Sequence, residues 1–70
     1  MRYAIVVEKA RSNYAAYVPD LPGCVAIGRT IPETERQLRK AIEVHVQGLR
    51  EDGLPIPKPS SVVDYVEVLA

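Results

Sequence analysis

The sequence predicts a single α+β domain over residues 1–70 with the element order β-β-β-α-β: a three-stranded antiparallel meander, one helix packed on one sheet face, and a parallel fourth strand. Three observations carry this. Strand-like runs separated by short turns fill the chain up to Arg29, helical spacing takes over at Thr30, and strand composition returns at residues 62–69 after a proline-spaced crossing.

Residues 2–9 (RYAIVVEK) and 13–18 (NYAAYV) are rich in β-branched and aromatic side chains and flank a short Arg11-Ser12 turn, the pattern of a β-hairpin. The run Pro19-Asp20-Leu21-Pro22-Gly23 then forms a turn of defined shape. Its prolines fix φ, Gly23 permits positive φ, and the Asp20 carboxylate can bond the backbone ahead of it. Residues 24–29 (CVAIGR) supply a third strand, which so short a connection places antiparallel to the second.

Thr30-Ile31-Pro32-Glu33 matches a capping box, in which the threonine hydroxyl accepts from the Glu33 amide and the glutamate reaches back to the amide of Thr30. Proline fits the first turn because its missing N–H would be unpaired there. Leu38, Ala41, Ile42, His45, Val46 and Leu49 make one apolar stripe, with Glu35–Arg39 and Arg39–Glu43 pairs on the wet side. The helix is expected to end near Asp52, where Gly53 supplies a left-handed stop and Pro55, Pro57 and Pro59 prevent continuation. Residues 54–61 are then extended, and residues 62–69 (VVDYVEVL) read as the last strand, expected beside and parallel to the first by the right-handed crossover rule. One helix covers one sheet face. The other, carrying residues such as Ala4, Val6, Ala15 and Tyr17, is left for a partner.

Composition narrows the function. Seventy residues hold one core, and domains of this size bury only roughly 60% of their unfolded surface, so extra support is expected. Cys24 is the only cysteine and His45 the only histidine, which removes disulfides and argues against a structural metal. Association remains, with a homo-oligomer, a dimer first, as the expectation. The lone thiol and the shortness of every apolar run point to a cytoplasmic protein with no signal peptide or membrane span. Nine basic and nine acidic side chains give no broad positive field, so direct nucleic-acid binding is not expected.

The run from Tyr14 through Pro19-Asp20-Leu21-Pro22-Gly23-Cys24 to Gly28-Arg29-Thr30, followed after the helix by Gly53-Leu54-Pro55-Ile56-Pro57-Lys58-Pro59-Ser60, resembles the HicB antitoxin family over nearly the whole chain. The resemblance implies a partial RNase H-like fold without its catalytic machinery. It also implies an antitoxin that binds and occludes a HicA-like toxin, a small mRNA-cleaving protein. Many members add a DNA-binding helix-turn-helix or ribbon-helix-helix module. No counterpart is expected within residues 1–70, which implies capping without direct promoter control. The helix start, Arg29-Thr30-Ile31-Pro32-Glu33-Thr34, departs from the more usual acidic, alanine-containing version.

Candidate chemistry is sparse. His45 lies on the apolar stripe and reads as packing, Cys24 as buried filler with no neighbour to lower its pKa, and Asp20 as a turn residue. The proline-spaced segment reads as a rigid spacer, and Arg36, Arg39 and Lys40 as part of a mixed solvated helix face. No catalytic residue, metal site or cofactor is expected. The expected partner-binding residues are Asp20, Leu21, Pro22 and Gly23 with Tyr17, while Thr30, Glu33, Gly53 and His45 are structural. A self-associating assembly domain and an orphan enzyme on an RNase H-like remnant are the alternatives.

Overall fold

The computed structural model describes residues 1–70 and holds three strands and one helix: β1 Val6–Lys9, β2 Tyr14–Tyr17, β3 Val25–Gly28 and α1 Ile31–Glu51. The strands form one antiparallel sheet in the order β1-β2-β3, so β1 and β3 are its free edges. Registers Val7↔Ala16↔Ala26 and Val6↔Tyr17↔Val25 set its two faces. Strands alternate their side chains, so Val7, Ala16 and Ala26 face the helix while Val6, Tyr17 and Val25 face away.

The expected strands are present but short. Residues 2–5 stay outside the ladder because β2 ends at Tyr17, the partner of Val6, and the chain turns away at Pro19. The turn closes through three backbone bonds: Leu21 N–H to Val18 O (3.1 Å), Cys24 N–H to Leu21 O (3.1 Å) and Val18 N–H to Cys24 O (3.2 Å). Gly23 takes φ 83°, a conformation that costs a residue with a Cβ.

Helix α1 begins as expected at Thr30, whose hydroxyl accepts from the Glu33 amide at 3.1 Å. The reciprocal bond is displaced by one residue, since Glu33 Oε2 accepts from the amide of Arg29 (2.9 Å) rather than that of Thr30. The helix ends in a Schellman arrangement. Gly53 at φ 66° donates to Arg50 O (3.1 Å), and Leu54 donates to Leu49 O (2.9 Å). On the wet side Arg39 pairs with Glu43 (3.4 Å), an exposed contact worth about 0.3–0.5 kcal/mol.

The core lies between the helix and the sheet. Ala16, Val18, Leu21, Cys24 and Leu38 are buried, with Tyr3, Ile5, Val7, Ala26, Ala41 and Ile42 packed around them. Gly28 lies close against the start of the helix, where an added Cβ would stand 2.5 Å from Thr34 Oγ1. Thr34 itself is fully buried and donates to Thr30 O at 2.7 Å. A 21-residue helix is about 30 Å long and outruns strands of four residues, so His45, Val46 and Leu49 on its second half are only half-covered.

The expected parallel fourth strand does not form in the single chain. Residues 54–70 carry no strand pairing, and no backbone hydrogen bond joins them to β1. Just before the expected strand, Ser60 and Ser61 donate their amides to Asp20, and within it Tyr65 donates its own to the neighbouring Asp64.

Candidate docking surface

The helix covers one sheet face, leaving Tyr17, Val25 and Ile27 on the other 41%, 63% and 64% exposed. Val6, Tyr17 and Val25 form one cross-strand row, and Glu8, Ala15 and Ile27 the next. Such rows are stabilised by contact along the sheet, yet here they present apolar area to solvent. Ala4, Val6, Ala15 and Tyr17 were expected on this face. Val25 and Ile27, which complete it, carry the same signal, because the alternation in residues 24–29 puts them beside Tyr17 and Ala15.

The accessible surface of the whole chain, in which residues 54–70 are nearly all exposed, shows a wider shortfall in burial. The chain exposes 5881 Å², whereas a compact monomer of this size exposes about 4,300 Å². Its Cα radius of gyration is 13.8 Å, against about 11 Å for a compact domain of the same length. The excess of roughly 1,500 Å² exceeds the ~800 Å² that each partner contributes to a standard interface.

The turn residues separate into two groups. Leu21 is fully buried in the core and offers no surface to a partner, because the turn folds back and seats it beside Leu38. Pro22 and Gly23 are exposed, at the sheet end where Tyr17 and Val25 pair. Asp20 turns toward the chain itself. Its Oδ2 accepts from the amides of Ser60 and Ser61 (both 3.0 Å), and its Oδ1 from their hydroxyls (3.1 and 2.8 Å). The Ser61 amide, then the Ser60 amide and the Ser61 hydroxyl, hold the carboxyl well below its usual range, at about 2. Asp20 therefore clips residues 60–61 to the sheet end, a contact spanning forty residues that no local pattern signals.

The remaining reactive side chains have structural surroundings. His45 lines a shallow groove with Gly23, Cys24 and Lys40 between the helix and the start of β3. Cys24 is buried, and burial pushes its thiol pKa up, away from nucleophilic use. No three His, Cys, Asp or Glu side chains converge as a metal site would need. No helix is long and apolar enough to cross a membrane. What the geometry offers is an exposed apolar sheet face.

Comparison with known proteins agrees in kind. Residues 3–69 match the family model described as the HicB-like antitoxin of a bacterial toxin-antitoxin system. A UPF0150 protein of Helicobacter pylori (strain J99) is 38% identical over 64 residues, covering 90% of this chain and 89% of that protein. An uncharacterized 14.9 kDa protein of Haemophilus phage HP1, from its rep-hol intergenic region, is 36% identical over 66 residues. That alignment takes in 94% of this chain but only 50% of the phage protein, so the chain spans half the length of that relative. A solved chain from a HicA3 and HicB3 toxin-antitoxin complex superposes with a TM-score of 0.71 at 30% identity, covering 84% of this chain and 70% of that one.

Proposed function

Because the chain belongs to the HicB-like antitoxin family, we propose that it binds a HicA-type, RNA-cleaving toxin and blocks it by occlusion. The outer sheet face with the adjoining turn residues Pro22 and Gly23 is the docking surface. In this reading the chain performs no chemistry of its own, contacts no nucleic acid directly and works in the cytoplasm, where messenger RNA is cut.

The observation that carries the docking surface is the row of half-buried Val6 with exposed Tyr17 and Val25, and exposed Ile27 beside it. Apolar area with an aromatic at its centre is the composition that anchors protein interfaces. Charge supports it in a smaller way. A protein that grips RNA is basic, and this chain has no net charge to repel it; Glu8 lies on the outer face in the row with Ala15 and Ile27. Tyr17 of β2 and the turn residues Pro22 and Gly23 make the contact, while Asp20 and Leu21 shape it from behind.

The test is co-expression with the product of a short basic reading frame beside the gene, followed by purification, titration and an RNA-cleavage assay. Wild-type chain is expected to co-purify and suppress cleavage. Val25→Lys, which leaves the core untouched, is expected to weaken binding by about tenfold or more and restore cleavage. Absence of binding by the wild-type chain would sink the antitoxin reading; unchanged binding by Val25→Lys would move the docking surface elsewhere.

A further inference from the structure

Residues 54–70 form no strand, yet part of this segment is held in a fixed place. Asp20 accepts from the amides and hydroxyls of Ser60 and Ser61, and the Tyr3 hydroxyl donates to the Pro57 carbonyl. Beyond these two ties, residues 61–65 line one cleft with residues 4–7 and Pro19, so the segment lies along the β1 side of the sheet. One member of that cleft is Val6, which is also the β1 end of the outer-face row Val6, Tyr17 and Val25. Segment and outer face therefore meet at Val6.

The segment brings apolar area and negative charge to that face. Val62 is 88% exposed and Tyr65 90%, so the ties hold the backbone while these side chains stand in solvent. Held this way, they cost a partner less ordering entropy than they would on a free tail. Charge is the sharper signal. Residues 59–70 hold Asp64 and Glu67 and no basic side chain, whereas residues 1–58 carry all nine basic side chains against seven acidic ones. Both carboxylates are exposed, and the one ion pair of the chain, Arg39 with Glu43, involves neither. A chain neutral in total thus sets unpaired acid beside its exposed sheet face.

We propose that residues 62–67 are the acidic half of the toxin-docking surface: Tyr65 is its apolar anchor, Asp64 and Glu67 meet the cations with which the toxin grips RNA, and Asp20 positions the segment. This rests on the antitoxin reading and deepens it. Size and charge both favour the toxin as occupant. The outer-face row supplies Val6, Tyr17, Val25 and Ile27, while a standard interface takes on the order of 20–30 residues a side. A protein that binds phosphates is basic where it does so, and complementary charge steers it to the acidic segment. Occlusion then works by competition, because carboxylates on those cations exclude the RNA phosphates.

The test uses the full chain and the toxin co-expressed with it, the product of the short basic reading frame beside the gene. Titrated into ¹⁵N-labelled chain, that toxin is expected to shift or broaden the amides of residues 62–67 together with those of Tyr17 and Val25. Asp64→Lys combined with Glu67→Lys alters exposed side chains outside the strands and the helix, and is expected to leave the circular dichroism unchanged. The same pair should raise the toxin Kd by about tenfold or more at low salt, a gap that narrows as added salt screens the charges. Asp20→Asn is expected to shrink the effect of the two lysines, since a freed segment no longer presents its charge at the face. A wild-type chain that binds no toxin sinks the antitoxin reading itself. Binding that Val25→Lys weakens but the two lysines leave unchanged overturns this proposal alone, as do amide changes confined to residues 6–28. A lysine effect undiminished by Asp20→Asn overturns the part assigned to Asp20.

Discussion

Residues 6–51 and residues 54–70 have similar apolar content and opposite fates. In the first region every strand has a neighbour and the helix is closed at both ends, with only the outer edges of β1 and β3 left unpaired. In the second, Val62, Val66, Val68 and Leu69 are as hydrophobic as anything in the core, yet they stand in solvent. Alternation therefore specifies a capacity to pair, and pairing itself requires an edge with free donors at the right place. The difference separates what one chain stabilises alone from what it offers to others.

The sharpest way to break that contrast is to truncate matched side chains on either side of it. Leu38→Ala removes a side chain that is only 1% exposed and is expected to cost about 2–5 kcal/mol, most of the stability of so small a domain. Val66→Ala in dilute protein should change it by less than about 0.5 kcal/mol. Urea titrations at low concentration compare the two directly. Equal losses would mean that the second region is packed in the monomer after all.

Gly28→Ala probes the close contact between β3 and the start of the helix. The new methyl would meet Thr34 Oγ1 at 2.5 Å and the Thr34 amide nitrogen at 2.8 Å, an overpacking worth about 1–3 kcal/mol. Adding Thr34→Ala relieves only the hydroxyl, so partial recovery in thermal melts is expected. Full recovery would show that the backbone gives way more easily than the geometry indicates. Thr30→Ala, which removes the helix cap, ranks below it at about 1 kcal/mol and should show as fraying of the first helical turn by amide exchange.

These effects also mark how far the fold could be read from the sequence. The hairpin, the cap at Thr30 and the stop at Gly53 were legible because each is decided within a few residues. Leu21 was not. Lying between prolines in a turn, it looked like a surface anchor, and only the fold-back of that turn puts it into the core. The fourth strand has a real pattern but no ladder in the structure, and the Asp20 contact just before it, forty residues away in sequence, is one that no local pattern signals. Within the docking surface, Tyr17 was legible directly; Val25 and Ile27 needed the register of β3 against β2.

The smallest expected effect on global stability is also the most diagnostic of the boundary between the regions. Asp20 is ionised with its pKa lowered from 3.8 to about 2 because Ser60 and Ser61 donate to the carboxylate. A depressed folded-state pKa means that the clip is at full strength above pH 3.8 and is lost as pH falls through about 2. The Ser60 and Ser61 amide shifts should titrate with that lower midpoint while signals from residues 6–51 hold. Asp20→Asn turns an amide N–H₂ toward the same donors and should release residues 60–61 at neutral pH, seen as faster proteolysis within residues 54–70 with little change in melting temperature. If the domain instead unfolds as Leu38→Ala does, the clip belongs to the core rather than to the boundary. If proteolysis is unchanged, other contacts hold the segment, and the tyrosine hydroxyl of Tyr3, which donates to the Pro57 carbonyl, is the next to remove.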